Sequence, residues 1–259
     1  MSVLETRKLT RTFGAVVAAN SIDVRIEQGE IVGVIGSNGA GKTTFINMVT
    51  GYLPPSSGEI LYQGSSVLGM APRQITRLGL GRSFQVAQLF PQLTVLENVM
   101  VAVAAGHDAQ PSWFKPFGSP AAMGRARAIL HEFSVSQYAE TAVSAVPQGA
   151  RKLIDIAMAM VAKPRMLLLD EPTSGVSAEE KFPLMDTVMG AVRQSGVTVL
   201  FVEHDMEVVE RYVSRILAFY SGEIIADGPA AQVFADPRVQ ELVVGRRDAP
   251  AQAIEESAA

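Results

Sequence analysis

The chain has 259 residues, a formal net charge of -4, 48% hydrophobic and 19% charged residues, and no cysteine. That is enough apolar material for one large domain, or a domain with a sizeable insertion, and too much for a disordered chain. The acidic balance, with no basic run, argues against nucleic acid as a partner, and the missing cysteines exclude disulfides and thiolate metal sites.

Near the N-terminus no signal peptide is evident, and no run of about twenty apolar residues follows anywhere. Work at a membrane would therefore go through a partner. Alternation of Leu4, Leu9, Val16, Ile22, Val24 and Ile26 predicts short antiparallel strands. Glu30–Ile35 predicts a buried strand that runs into a glycine-rich loop and a helix from Lys42 to about Thr50. Gly51, Pro54, Pro55 and Gly58 mark a turn, and a strand over Glu59–Tyr62 ends at Gly64.

From about Thr94 to Ala162, Ala, Met and Val recur at helical spacing and strand signals are few. A proline-containing loop, His107–Pro120, interrupts this stretch and carries Trp113, the single tryptophan. Residues of about 90–161 read as a helical subdomain inserted into the core. Strands are then predicted at Met166–Asp170, Val197–Glu203 and Arg215–Tyr220, with helices at Ala178–Ser195 and Met206–Tyr212. The expected fold class is α/β, with a mainly parallel sheet, an antiparallel N-terminal β portion and the helical insertion; the Gly36–Thr43 match to G-x-x-x-x-G-K-[ST] makes the expected core that of a P-loop NTPase. The domain is placed at residues 1–247, and the tail from Asp248 is expected to be disordered.

Three motifs carry chemistry. Gly36, Ser37, Asn38, Gly39, Ala40, Gly41, Lys42 and Thr43 match G-x-x-x-x-G-K-[ST], with a strand before and a helix after, as the motif requires. Backbone N–H groups of such a loop wrap a phosphate, and the helix N-terminus favours its negative charge. Lys42 is placed on the β- and γ-phosphates, Thr43 on magnesium, and Thr44 among the nucleotide contacts. Met166–Asp170 is an apolar strand ending in a carboxylate, with Glu171 next. Asp170 is assigned to Mg²⁺, and Glu171, expected to point the other way, to the attacking water as general base. His204 follows an apolar strand. A lone histidine is more often a cap or surface residue, but at a strand end beside a phosphate site it is placed to orient the water.

These motifs, in this order and with Phe84-Gln85, resemble the ATP-binding subunits of ABC transporters over almost the whole chain, Leu4 to about Gly245. The resemblance implies binding of ATP with Mg²⁺, contact of Gln85 with the metal, a switch role for His204 and stacking of Phe13 on adenine. A closer likeness, to the branched-chain amino-acid importer type, rests on Gly81-Arg82-Ser83-Phe84-Gln85, on Leu89 to Val99, and on Asp236-Pro237-Arg238-Val239. That group also includes importers of urea, short amides and aromatic acids. The resemblance implies transmembrane permease subunits, which the segment Phe90–Val103 would meet, and a second ATP-binding subunit in a heterodimer or homodimer. It also implies, indirectly, a periplasmic substrate-binding protein, and a peripheral place on the cytoplasmic face of the inner (plasma) membrane. A soluble or regulatory ABC-type ATPase is the alternative.

Two departures from the family pattern stand out. The signature, typically Leu-Ser-Gly-Gly-Gln, falls at Val146-Pro147-Gln148-Gly149-Ala150, so that Pro147 replaces a serine expected to reach the ATP of the opposite subunit. Pro147, Gln148 and Gly149 are the signature-like residues, and proline is tolerated at a helix start. Ser177 stands where an aspartate is usual.

Overall fold

The computed structural model describes residues 2–83, 87–106 and 119–245. Strands β1 (Ser2–Phe13) and β2 (Val16–Glu27) form an antiparallel hairpin, followed by β3 (Ile31–Gly36), helix α1 (Lys42–Val49), β4 (Ser57–Tyr62) and the short β5 (Ser65–Ser66). Helix α2 (Pro72–Arg77) and strand β6 (Leu80–Arg82) come next. Between β6 and β7 (Met166–Asp170) the described residues hold three α-helices, α3 (Val95–Gly106), α4 (Pro120–Glu132) and α5 (Gln148–Met160). The chain then alternates through α6 (Ala178–Ser195), β8 (Thr198–Val202), α7 (Met206–Tyr212) and β9 (Arg215–Tyr220). It finishes on β10 (Glu223–Pro229), α8 (Ala230–Ala235), α9 (Pro237–Val239) and a π-helical turn at Gln240–Val244.

Two sheets result. One runs in the order β2-β1-β4-β5 and is antiparallel; the other runs β10-β9-β3-β8-β7-β6. In the second sheet β9, β3, β8, β7 and β6 are parallel, and only β10 pairs antiparallel to its neighbour. This is the expected α/β fold with a mainly parallel sheet. The opening strands are much longer than the short ones predicted. They carry exposed polar residues between the buried ones, so hydropathy alone marks only their inward-facing positions.

The parallel sheet is buried on both faces, which is why its strands read as nearly continuous apolar runs. Leu167, Leu169, Val199, Phe201, Ile216 and Ala218 face one core, shared with α3 to α7. Their alternates Met166, Leu168, Leu200, Val202, Leu217 and Phe219 face a second core, shared with the antiparallel sheet and α1. Helix α1 lies in that second core through Phe45, Ile46, Met48 and Val49, with the Phe45 ring 5.5 Å from that of Phe219. Locked between the layers, α1 holds its N-terminus at the carboxyl end of β3, where ligands of open α/β sheets bind.

Helix α3 opens with a capping box. The Thr94 amide donates to Glu97 Oε2 (2.7 Å) and the Glu97 amide to Thr94 Oγ1 (3.2 Å). Buried Asn98 fixes the turn before it, accepting from the Phe90 amide (2.8 Å) and donating to the carbonyls of Phe90 (3.1 Å) and Thr94 (2.9 Å). Phe90 itself is exposed. The His107–Pro120 loop lies mostly, and the tail from Asp248 wholly, outside the described residues. No helix among the described residues is long and apolar enough to cross a membrane.

Candidate functional site: a phosphate loop facing two strand-end carboxylates

The loop Gly36–Gly41 leaves β3 and turns directly into α1. Ser37, Asn38 and Gly39 are exposed, whereas Ala40, Gly41 and Lys42 are buried. Two of its glycines are required by close approach: a Cβ on Gly36 would lie 2.5 Å from the Phe219 carbonyl, and one on Gly41 (φ +102°) 2.5 Å from the Ala18 carbonyl. The Ala40 carbonyl accepts from the Gly222 amide (3.0 Å), so the β9–β10 turn buttresses the loop from below.

Lys42 Nζ donates to the carbonyls of Gly36 (2.7 Å) and Ser37 (3.0 Å), folding the ammonium back over the loop. Burial pushes this lysine below its ordinary range, and the negative charges of Glu171 and Asp170 pull it part of the way back. That pull places both carboxylates within electrostatic reach of the lysine. Thr43 is exposed at the first turn of α1, and Thr44 is half-buried.

The carboxylates part company at the end of β7. Asp170 Oδ2 receives a 2.8 Å ion pair from Arg82, on the adjacent strand β6. The strand stops there, and Glu171 takes a left-handed backbone (φ +49°), an uncommon conformation for a residue with a side chain. The expected divergence of the two side chains therefore comes from a backbone turn, beyond simple pleat alternation. Glu171 Oε1 lies 2.8 Å from His204 Nε2, beyond the end of neighbouring β8.

Behind this pair lie groups that motif reading did not single out. Glu203, only 3% exposed, accepts from the Thr173 amide (2.9 Å) and hydroxyl (2.7 Å) and from the His204 amide (3.1 Å). It clamps the loop after Glu171 to the loop carrying His204. Lys152, buried on α5, donates to the Glu171 carbonyl (3.2 Å). Burial also lowers this lysine, against the opposing pull of Asp155, Glu203, Glu171 and Asp170. A signal existed in each case, a charged residue inside a buried stretch, but not the identity of its partner.

The other predicted residues are dispersed around this centre. Phe13 ends β1 with 47% exposure, so it is not a core residue, and the Arg11 guanidinium lies 4.6 Å from its ring. Pro147 is the N-cap of α5, with no side-chain cap bond; Gln148 and Gly149 form the first helical turn. Gln148 packs over Gly175, in the loop that follows Glu171. Ser177 Oγ donates to Glu180 Oε2 (3.2 Å) at the start of α6. Gln85 and Phe84 lie outside the described residues.

The sequence pattern of the ABC transporter family matches residues 19–174. The chain belongs to the ABC transporter family. Among relatives of this ABC protein, the high-affinity branched-chain amino acid transport ATP-binding protein BraF of Pseudomonas aeruginosa is 32% identical over 251 residues, 94% of this chain and 98% of the relative. LivG of Escherichia coli K12, named for the same transport, is 32% identical over 94% of this chain and 98% of its own. Its probable counterpart in Archaeoglobus fulgidus is 30% identical over 96% and 97%. In three dimensions the chain resembles the ADP conformation of MJ1267, an ATP-binding cassette of an ABC transporter, with a TM-score of 0.84 and 26% identity over 95% of this chain and 100% of that one. The MJ0796 cassette, described as a dimer bound to ADP and Pi, shares the fold at a TM-score of 0.75 and 23% identity, over 88% of this chain and 98% of that one. As a member of the ABC family this chain is an ATP-binding, ATP-hydrolysing transport subunit.

Proposed function

We propose that this chain binds ATP in the Gly36–Thr43 loop and hydrolyses it, with Glu171 as general base, to energise an importer of branched-chain amino acids or a related small amino acid, amide or organic acid. The observation that carries the reading is the 2.8 Å contact between His204 and Glu171, beside a buried Lys42 that feels both strand-end carboxylates. In this reading the loop N–H groups, Lys42 and Thr44 hold the phosphates, and exposed Phe13 supplies a flat apolar face for adenine. Glu171 takes a proton from water as its oxygen bonds to the γ-phosphorus and the bond to the β-phosphate oxygen breaks. His204 orients that water and the γ-phosphate.

The donor set near the loop fits magnesium: the Asp170 carboxylate and the Thr43 hydroxyl are hard oxygen ligands. No cluster of three or more His, Cys, Asp or Glu gathers among the described residues, so phosphate and water would complete the shell. Asp170, Thr43 and Gln85 are the residues assigned to it, and when bound the ion neutralises charge developing on the phosphates.

The proposed setting is the cytoplasmic face of the inner membrane, with permease subunits docking near exposed Phe90, at the head of the helical subdomain of residues 90–161, and a second ATP-binding subunit completing each site. Pro147, Gln148 and Gly149 would face the partner's ATP. Lacking the serine hydroxyl, they make this chain the unequal half of an asymmetric pair.

In the complex assembled with partner ATPase and permeases, Glu171→Gln is expected to cut hydrolysis about 10²–10⁴-fold while ATP binding persists. Hydrolysis unchanged by that substitution removes the assignment of Glu171. Strong, cooperative hydrolysis by the isolated chain refutes the asymmetric pairing. Pro147 is the one observation that favours a regulator that binds without hydrolysing; ATP binding without turnover in the wild-type complex would establish it.

A further inference from the structure

Arg82 has no part in the chemistry above, yet it bridges Asp170, assigned to magnesium, and helix α1, whose first turn carries Thr43. It ends β6, where its register partner on β7 is Leu168, two residues before Asp170. Its guanidinium is nearly buried, with the side chain 9% exposed, and the side chain of Asp170 is 11% exposed. One terminal nitrogen donates to Asp170 Oδ2 (2.8 Å), and the other to Asn47 Oδ1 (2.8 Å) and Thr50 Oγ1 (3.1 Å). The Thr50 hydroxyl spends its own proton on the Ile46 carbonyl (2.6 Å), so it is an acceptor towards the arginine. The guanidinium carbon lies 5.4 Å from the centre of the Tyr52 ring, within cation–π reach.

The acceptors on α1 are not arbitrary. Thr43, Asn47 and Thr50 stand at i, i+4 and i+7, and so share one face of the helix. By gripping Asn47 and Thr50 with one nitrogen and Asp170 with the other, the planar guanidinium sets the Asp170 carboxylate against the helix face that carries Thr43. Magnesium demands near-ideal octahedral geometry, so its two protein oxygens must be held in register before it arrives.

We infer that Arg82 is a positioning residue for the magnesium site, holding Asp170 in register with the Thr43 face of α1. The inference rests on the assignment of Asp170 and Thr43 to magnesium proposed above. Lysine would not substitute, since its single ammonium cannot present a planar fork to acceptors on two elements.

The test measures binding of a fluorescent ATP analogue to the full chain with and without Mg²⁺, for wild type, Arg82→Met, Arg82→Lys, Asp170→Asn and the Arg82→Met/Asp170→Asn double variant. The wild type should bind more tightly with magnesium, and Asp170→Asn should abolish most of that gain; if it does not, the magnesium assignment fails and this inference with it. Given that gain, Arg82→Met should reduce it about 10–100-fold, as loss of an outer-shell partner typically does, while magnesium-free binding changes by less than about threefold. Arg82→Lys keeps the buried charge, supplies a folded variant if the methionine protein does not fold, and should lose most of the same gain. In the Asp170→Asn background Arg82→Met should have almost no further effect on the magnesium gain, because both act on one interaction. A folded Arg82 variant that keeps the wild-type gain within about twofold, or an Arg82 effect that adds undiminished to Asp170→Asn, overturns the inference.

Discussion

Glutamine at position 203 would change one atom of a side chain that is 3% exposed, and the hydrogen bonds around it set the consequence. The carboxylate accepts from the Thr173 amide and hydroxyl on one oxygen and from the His204 amide on the other. In Glu203→Gln one oxygen becomes an NH₂ group, which must face an amide or hydroxyl donor. The retained bonds fall from charge-assisted to neutral, and at least one donor, the part-buried His204 amide or the buried Thr173 amide, loses its acceptor, at about 1–3 kcal/mol. Together these amount to about 2–4 kcal/mol, which in a chain of this size lowers Tm by about 6–12 °C. The exposed Glu59→Gln serves as a control and should stay within about 0.5 kcal/mol. Turnover should suffer separately, because Thr173 follows Glu171 closely and His204 touches it at 2.8 Å. A loosened clamp should lower kcat of the assembled complex about tenfold or more, with ATP affinity little changed. Thermal unfolding and steady-state ATPase assays on the same preparations read both effects. A Glu203→Gln protein that melts with Glu59→Gln and turns over like the wild type would refute the clamp.

Two further outcomes follow from local geometry. Asp205 caps α7, accepting from the Glu207 (3.0 Å) and Val208 (3.3 Å) amides, and pairs with Lys181 at 2.6 Å. Burial alone would push its carboxyl up, but Lys181 and the helix amides outweigh this and hold it below the ordinary 3.8. Its contribution is therefore present at neutral pH and lost as pH falls through the lowered folded value. The stability gap between wild type and Asp205→Asn, followed by unfolding at successively lower pH, should close below about pH 4, and a gap that stays constant would refute this. Gly41→Ala puts a Cβ 2.5 Å from the Ala18 carbonyl at a φ of +102°, and should abolish binding of an ATP analogue and cost about 2–4 kcal/mol. Gly190→Ala, in open space on α6, should instead stabilise by about 0.4–1 kcal/mol in the same unfolding assay; equal effects of the two would discredit the packing argument.

Much of this fold was legible because the chain writes buried parallel strands as uninterrupted apolar runs. The strand Met166–Asp170, the helices Ala178–Ser195 and Met206–Tyr212, and the strand Arg215–Tyr220 were read with the bounds they have. Helix α2 and strand β6 were missed, being six and three residues long, too short to show a period. So was β10, whose pattern Glu-Ile-Ile-Ala-Asp-Gly-Pro is that of a half-exposed edge strand ending in turn residues.

The phosphate loop, the strand-end carboxylates and the histidine were determined by sequence because each is a contiguous segment. Its backbone course follows from glycines, from apolar runs and from the place where those runs stop. What only the tertiary structure decided is which charged side chains meet behind them. Lys152 finds Glu171 across 19 residues, Glu203 finds Thr173 across 30, and Arg82 finds Asp170 across 88. Such pairings depend on strand order and helix packing, because a buried charge must find its partner wherever the fold brings one, and no spacing along the chain records that choice.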